Sequence, residues 1–165
     1  MVDELEIRRL RARYPRYLDN RQFEQLRTLF TDDATFSTPS AESAGAQGPD
    51  DFVAALEASP YLLGSVHHLY EPEIEITGER TARGLWGVSS VVSADFEIRD
   101  GVPVPVETDE PGVIYMYGYY NDEYRKDGGV WRISSLRFSI ADILRLDRMQ
   151  GRTLRMLGRD TGAGE

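Results

Sequence analysis

The apolar residues change their spacing between Pro60 and His67, and that switch restricts the fold more than any other feature of the sequence. Before it they recur at helical intervals. Leu5, Leu10, Tyr14, Tyr17 and Leu18 follow such a period, with Asp3, Glu4 and Glu6 near the positive end of the helix dipole, so the spacing predicts a helix over 3–18. Asp19 and Asn20 read as caps, and Phe23, Leu26, Leu29 and Phe30 predict a short second helix closed by Thr31-Asp32-Asp33. Ala34 and Phe36 predict a short strand, and the small residues from Ser37 to Gly48 an exposed loop. Pro49 opens a third helix through Phe52, Val53 and Leu56 that ends near Pro60.

After the switch, residues 67–76, 81–98, 112–125 and 130–139 alternate or run rich in β formers, with turns at Thr77-Gly78, Asp100-Gly101 and Asp127-Gly128-Gly129. Three helices followed by four long strands predict an α+β fold with an antiparallel sheet. Pro103, Pro105 and Pro111 predict a protruding arm or edge between the second and third strands. Ile143, Leu144, Leu146, Met149, Leu154 and Met156 predict a final helix over about 140–157, whose arginines meet the acidic body or a second subunit rather than lipid.

Length and charge narrow the function. With 165 residues, 41% of them apolar, the chain suits a single domain over 1–160 with room for a ligand cavity, followed by a disordered tail at 161–165. A net charge of -9 repels phosphate backbones, which makes nucleic acid a poor partner. No stretch approaches the roughly 20 apolar residues of a membrane span. The N-terminal MVDELEIRRLRARY lacks an apolar signal core, so no membrane partner and a cytoplasmic location are expected. Without cysteine there is no disulfide, thiolate metal site or thiol nucleophile. Residues 126–129 read as a hairpin turn and not a phosphate loop.

His67 and His68 are the only histidines, adjacent at the start of the first strand. As strand neighbours they face opposite ways and cannot close a metal site together, so no metal is expected. One of them suits a general base, because a neutral imidazole titrates near working pH. Strand parity groups His68 with Tyr70, Ile74 and Ile76. A bulge at Pro72 would reverse that facing and turn His67 inward. Asp19, at the junction of two helices, reads either as a helix cap or as the carboxylate that orients such a histidine.

Tyr115, Tyr117 and Tyr119 share one face of the third strand. They read either as a sheet face packed on helices or a dimer partner, or as hydroxyl-tipped walls of a ligand pocket, a role open also to Trp86 and Tyr17. Gly118 marks a bulge or a close approach to the backbone.

The stretches 14–23 (YPRYLDNRQF), 29–34 (LFTDDA), 67–69 (HHL), 118–124 (GYYNDEY) and 131–133 (WRI), in this order, resemble the SnoaL-like family of the nuclear-transport-factor-2-like superfamily up to Phe138. That group includes scytalone dehydratase, the bile-acid dehydratase, a dehydrochlorinase and polyketide cyclases. The resemblance implies a cone-shaped α+β barrel in which a curved sheet and N-terminal helices enclose an apolar pocket. It implies a catalytic pair in which Asp19 orients His67, and Tyr14 as acid or oxyanion donor. The chain departs from many relatives at Glu71, where they carry Asn, and at Leu136, where they carry Arg and this chain has Arg137 one residue later. A further acidic residue of some members has no clear match, Asp95 being the nearest. The implied activity is a cofactor-independent dehydration, isomerisation or ring closure of an apolar, polycyclic or polyketide- or steroid-like small molecule, in a homodimer or higher homo-oligomer. A non-catalytic small-molecule-binding or accessory subunit, or an epoxide-opening enzyme, are the alternatives the same fold allows.

Overall fold

The computed structural model describes residues 2–59, 65–93, 95–99, 102–106 and 112–146. Helix α1 (Val2–Asp19) buries Ile7, Leu10, Arg11, Tyr14 and Leu18, a stripe with spacings of three and four. Pro15 lies inside α1, where it removes the N–H that would serve the Arg11 carbonyl. Helix α2 (Phe23–Arg27) is shorter than its apolar spacing predicts. Its last apolar residues are taken by the sheet: the Leu29 carbonyl accepts from the Ile133 N–H at 2.8 Å, and Phe30 opens strand β1 (Phe30–Ser37), which includes Thr31-Asp32-Asp33.

The loop expected over 37–48 contains helix α3 (Pro39–Ala44), capped by Thr38 Oγ1 accepting from the Ala41 N–H at 3.1 Å and ended by Gly45 at φ 64°. Helix α4 (Pro49–Ala58) follows as expected. Phe30 packs with Phe36 and Phe52, and Leu26, Leu56, Ile133 and Leu136 complete a core between the helices and one face of the sheet. Each such side chain contributes about 1.5–3 kcal/mol on burial.

Strands β2 (Val66–Leu69), β3 (Glu73–Gly78), β4 (Thr81–Ser93), β7 (Val113–Asp127) and β8 (Val130–Leu146) join β1 in a curved sheet, six-stranded among the described residues. Its order is β1-β8-β7-β4-β2, with β3 also on β4. The expected antiparallel barrel is corrected in two respects. The sheet is not closed, and it is mixed, because β1 runs parallel to β8. Helices α3 and α4 carry the chain away after β1, so a hairpin is impossible and β1 pairs with a strand from the far end of the chain. Strands β5 (Asp95–Arg99) and β6 (Val102–Val106) pair as a separate hairpin where the prolines predicted an arm.

The helix expected from 140 is also corrected. Through Leu146 the chain continues as β8, with Met116 opposite Ile143 and Val113 opposite Leu146. Ile140, Ile143 and Leu144 suit either period, and the long free edge of β7 decides for strand. The remainder of that expected helix and the expected tail lie outside the described residues. Among the described residues no helix is long and apolar enough to cross a membrane.

Candidate active site

The sheet has an inner face toward the helices and an outer face away from them. On β4 and β7 the inner residues are even-numbered: Ala82, Gly84, Trp86, Val88, Ser90 and Val92 oppose Tyr124, Asp122, Tyr120, Gly118, Met116 and Ile114. β2 sets His67 opposite Ser90 and Leu69 opposite Val88, whereas β3 sets Ile74 opposite Gly84. Five steps on one side, Leu69 to Ile74, therefore span four on the other, Val88 to Gly84. This single extra residue, at the segment containing Pro72, lets odd-numbered His67 and even-numbered Ile74 share the inner face. His68 falls opposite Ser89 on the outer face.

Asp19, the last residue of α1, reaches β2 with both oxygens. Oδ2 accepts from the His67 backbone N–H at 2.9 Å, and Oδ1 lies 2.7 Å from His67 Nδ1. A carboxylate at a helix C-terminus meets the negative end of the dipole, a cost of about 0.3–1 kcal/mol that these two donors offset. It does not cap α2, whose N-cap residue Gln22 makes no side-chain cap bond. An ionised carboxylate can only accept, so Nδ1 carries the proton and Nε2 is left as the acceptor. The side chains are 12% and 15% exposed for His67 and Asp19, buried enough to be ordered and open enough to meet a ligand.

Tyr14 lies one turn earlier on α1, 3% exposed, its ring edge-on to Phe30 and to Tyr120 at centroid distances of 6.1 and 6.0 Å. Burial, with Tyr120 next to it, raises the Tyr14 phenol well above its ordinary value, against the pull of Arg11. Burial pushes Tyr120 up to about 12, again opposed by Arg11. Both phenols are therefore protonated near neutral pH and available as donors.

Two charged residues that the sequence reading passed over lie beneath these rings. Arg11 and Asp122 have side chains 0% exposed and form an ion pair, Nε to Oδ2, at 2.9 Å. Burial opposes the Arg11 charge, but Asp122 outweighs it. Burial also pushes the Asp122 carboxyl up, against Arg11 and the Tyr124 hydroxyl, which donates to Oδ2 at 2.8 Å. Trp86 Nε1 donates in turn to the Tyr124 hydroxyl at 2.8 Å. The available signal was phase: Arg11 sits in the apolar stripe of α1, and Asp122 alternates with Tyr120 and Tyr124.

Residues 1–137 match the model of the SnoaL-like domain. The chain belongs to the SnoaL-like family. No curated protein sequence matches it. Solved structures similar to this SnoaL-like domain include a type 2 hexachlorocyclohexane dehydrochlorinase, LinA, with a TM-score of 0.73 at 18% identity over 94% of this chain and 96% of that one. A scytalone dehydratase-like protein from Novosphingobium aromaticivorans gives 0.68 at 22% over 92% and 95%. The Kfla4162 protein from Kribbella flavida gives 0.68 at 23% over 87% and 93%. At these identities the likeness establishes the fold.

The expected ligand-contacting residues divide. Tyr17 is half-buried on α1 beside the core, its ring 5.1 Å from the Arg16 guanidinium carbon. Trp86 is on the inner face but spends its N–H on Tyr124. Tyr115, Tyr117 and Tyr119 are corrected: they oppose Val91, Ser89 and Gly87 on the outer face, with the sheet between them and His67. Alternation fixed that they share a face but not which one. Gly118 helps to decide it, because a Cβ there would meet the Ser139 carbonyl and come within 2.7 Å of the Phe138 ring, so the even face of β7 is the closely packed one.

Proposed function

We propose that this SnoaL-like domain is a lyase or isomerase that works by acid–base catalysis without a cofactor on an apolar, ring-bearing small molecule. The observation that carries the reading is the two-point hold of Asp19 on His67, which fixes the tautomer and leaves Nε2 to take a proton. Asp19 stabilises the imidazolium that results. Tyr14, kept protonated by burial, donates to the oxygen or leaving group on which negative charge develops. The dehydrochlorinase and dehydratase among the structural neighbours are enzymes of this reaction class by their names, which favours elimination over ring closure.

The test is solvent-deuterium exchange into polyketide-like and steroid-like hydroxyketones. Exchange by the unaltered protein, lost in a cooperatively unfolding His67→Ala variant, is expected. Exchange that persists undiminished in His67→Ala would sink the assignment.

We further propose that the outer face joins a second copy of the chain. Tyr70 and Tyr119 are 56% and 50% exposed there, beside a groove of about 350 Å³ that also includes Leu85 and Tyr117. Glu73, Glu75, Glu123, Arg83 and Arg137 line a neighbouring groove, and a patch with both signs can set opposite charges against each other across a two-fold axis. Light scattering is expected to show an oligomer that Tyr119→Lys dissociates. A monomeric unaltered protein would refute this.

A further inference from the structure

Among the described residues the deepest charge is Arg11, and its surroundings differ from those of every other cation that meets an aromatic ring. The guanidinium carbon of Arg11 lies 4.4 Å from the Tyr14 ring centroid and 4.1 Å from that of Tyr120, so one cation serves two phenols. Arg16 over Tyr17 and Arg21 over Phe23 are single contacts at 5.1 Å made by exposed arginines. A buried cation–ring contact is several times stronger than an exposed one, because no water competes for the charge.

Packing alone does not account for Arg11. An apolar pair of similar volume fills such a space as well or better, since burying two charges costs several kcal/mol each before they attract. Nε, Nη1 and Nη2 of Arg11 and Oδ1 of Asp122 make no hydrogen bond of good geometry among the described residues, so the pair is held by charge across 2.9 Å and the desolvation cost is incompletely offset. What the pair does supply is placement. Trp86 donates to Tyr124, Tyr124 donates to Asp122, and Asp122 holds Arg11, a chain running from the inner face of β4 through β7 to α1. Its free end is a guanidinium whose carbon lies over two rings, one of them carried by α1 in the turns before Asp19.

We propose that Arg11 is a positioning residue for the acid–base reaction: fixed by Asp122, it holds the Tyr14 and Tyr120 rings beside the dyad and supplies the positive field that makes their hydroxyls stronger donors to negative charge developing on a ligand. The proposal rests on the acid–base reading above. A planar guanidinium suits the task because it stacks on rings and keeps its charge at any pH at which the protein folds. Asp19 acts on both phenols in the opposite sense, raising them, so the two phenols feel a fixed cation and the carboxylate of the dyad together.

The test replaces the pair together, Arg11→Met with Asp122→Leu, which leaves no orphaned charge. Tyr14→p-cyanophenylalanine is introduced with and without that replacement, and the nitrile stretching frequency reports the field at the ring. The expected result is a frequency that differs between the two folded proteins. With Tyr14 restored, kcat for the compound that exchanges fastest falls about 30-fold in the double variant, while KM stays within about threefold. An unchanged frequency or an unchanged kcat in a folded double variant overturns the proposal.

Should the double variant not unfold cooperatively, Arg11→Lys keeps the charge and removes the flat face. A smaller frequency change in the same direction is then expected, and none at all overturns the idea. Exchange that survives His67→Ala refutes the acid–base reading instead, and the nitrile frequencies still decide whether the Arg11 field is felt at position 14.

Discussion

Two carboxylates anchor the inner face on opposite terms. Asp19 holds a histidine at a partly exposed position, with both oxygens engaged and the far ring nitrogen left open to a ligand. Asp122 holds an arginine where neither side chain meets solvent, and no proton moves because a guanidinium does not give one up. The first arrangement suits exchange with a ligand, and the second suits a constant field. The same helix presents both, Arg11 and Asp19 standing two turns apart on α1.

The largest effect should come from separating the buried pair. Arg11→Met alone strands Asp122 and is expected to cost about 3–5 kcal/mol in urea unfolding, whereas replacing both partners should cost far less. A single variant as stable as the double one would place water around Asp122 and remove the contrast between the two sites. Next comes the dyad. Asp19→Asn, which can present the wrong group to Nδ1, should lower turnover by about 100-fold or more with little change in stability. His68→Ala, on the outer face, should cost much less than His67→Ala, and equal losses would refute the assignment of the base.

The smallest effect concerns the exposed ion pairs. Asp3 is held below the usual carboxylate range by Lys126, and Asp33 and Asp127 by Arg125. These groups bind fewer protons folded than unfolded. Their stabilisation is therefore fully present above the unfolded value of about 4 and is lost as pH falls from there toward the folded values. Urea midpoints should fall modestly over that range, less so in high salt, which screens surface pairs and leaves Arg11–Asp122 untouched. An equally large decline in high salt would show that these exposed pairs do not carry the loss.

Much of the fold could be read from period alone: α1 and α4 from spacings of three and four, and the β7–β8 hairpin from alternation and the turn at Asp127-Gly128-Gly129. What could not be read depended on partners distant in sequence. Ile140 to Leu146 fit either period until β7 supplied an edge. The parallel seat of β1 required knowing that α3 intervenes. Tyr115, Tyr117 and Tyr119 were correctly grouped, but their facing is set by where β8 closes on Gly118. Asp19 and His67 were distinguishable from a cap and a surface residue only through family resemblance, and the structure sets them 2.7 Å apart. Arg11 went unweighed because an arginine on a helix usually lies at the rim of its apolar stripe, not within it.

The extra residue between Leu69 and Ile74 has a consequence for how this chain tolerates change in length. It absorbs a frame difference: deleting any one of residues 70–72 would make the step from His67 to Ile74 even, and a regular ladder would keep β2 on the same β4 partners. His67 would stay opposite Ser90, facing the helices, with the bulge gone. Inserting one residue there, with the bulge kept at its size, would instead put His68 opposite Ser90, so the tandem histidines keep an imidazole on the inner wall through an insertion that would erase it from a strand carrying only one.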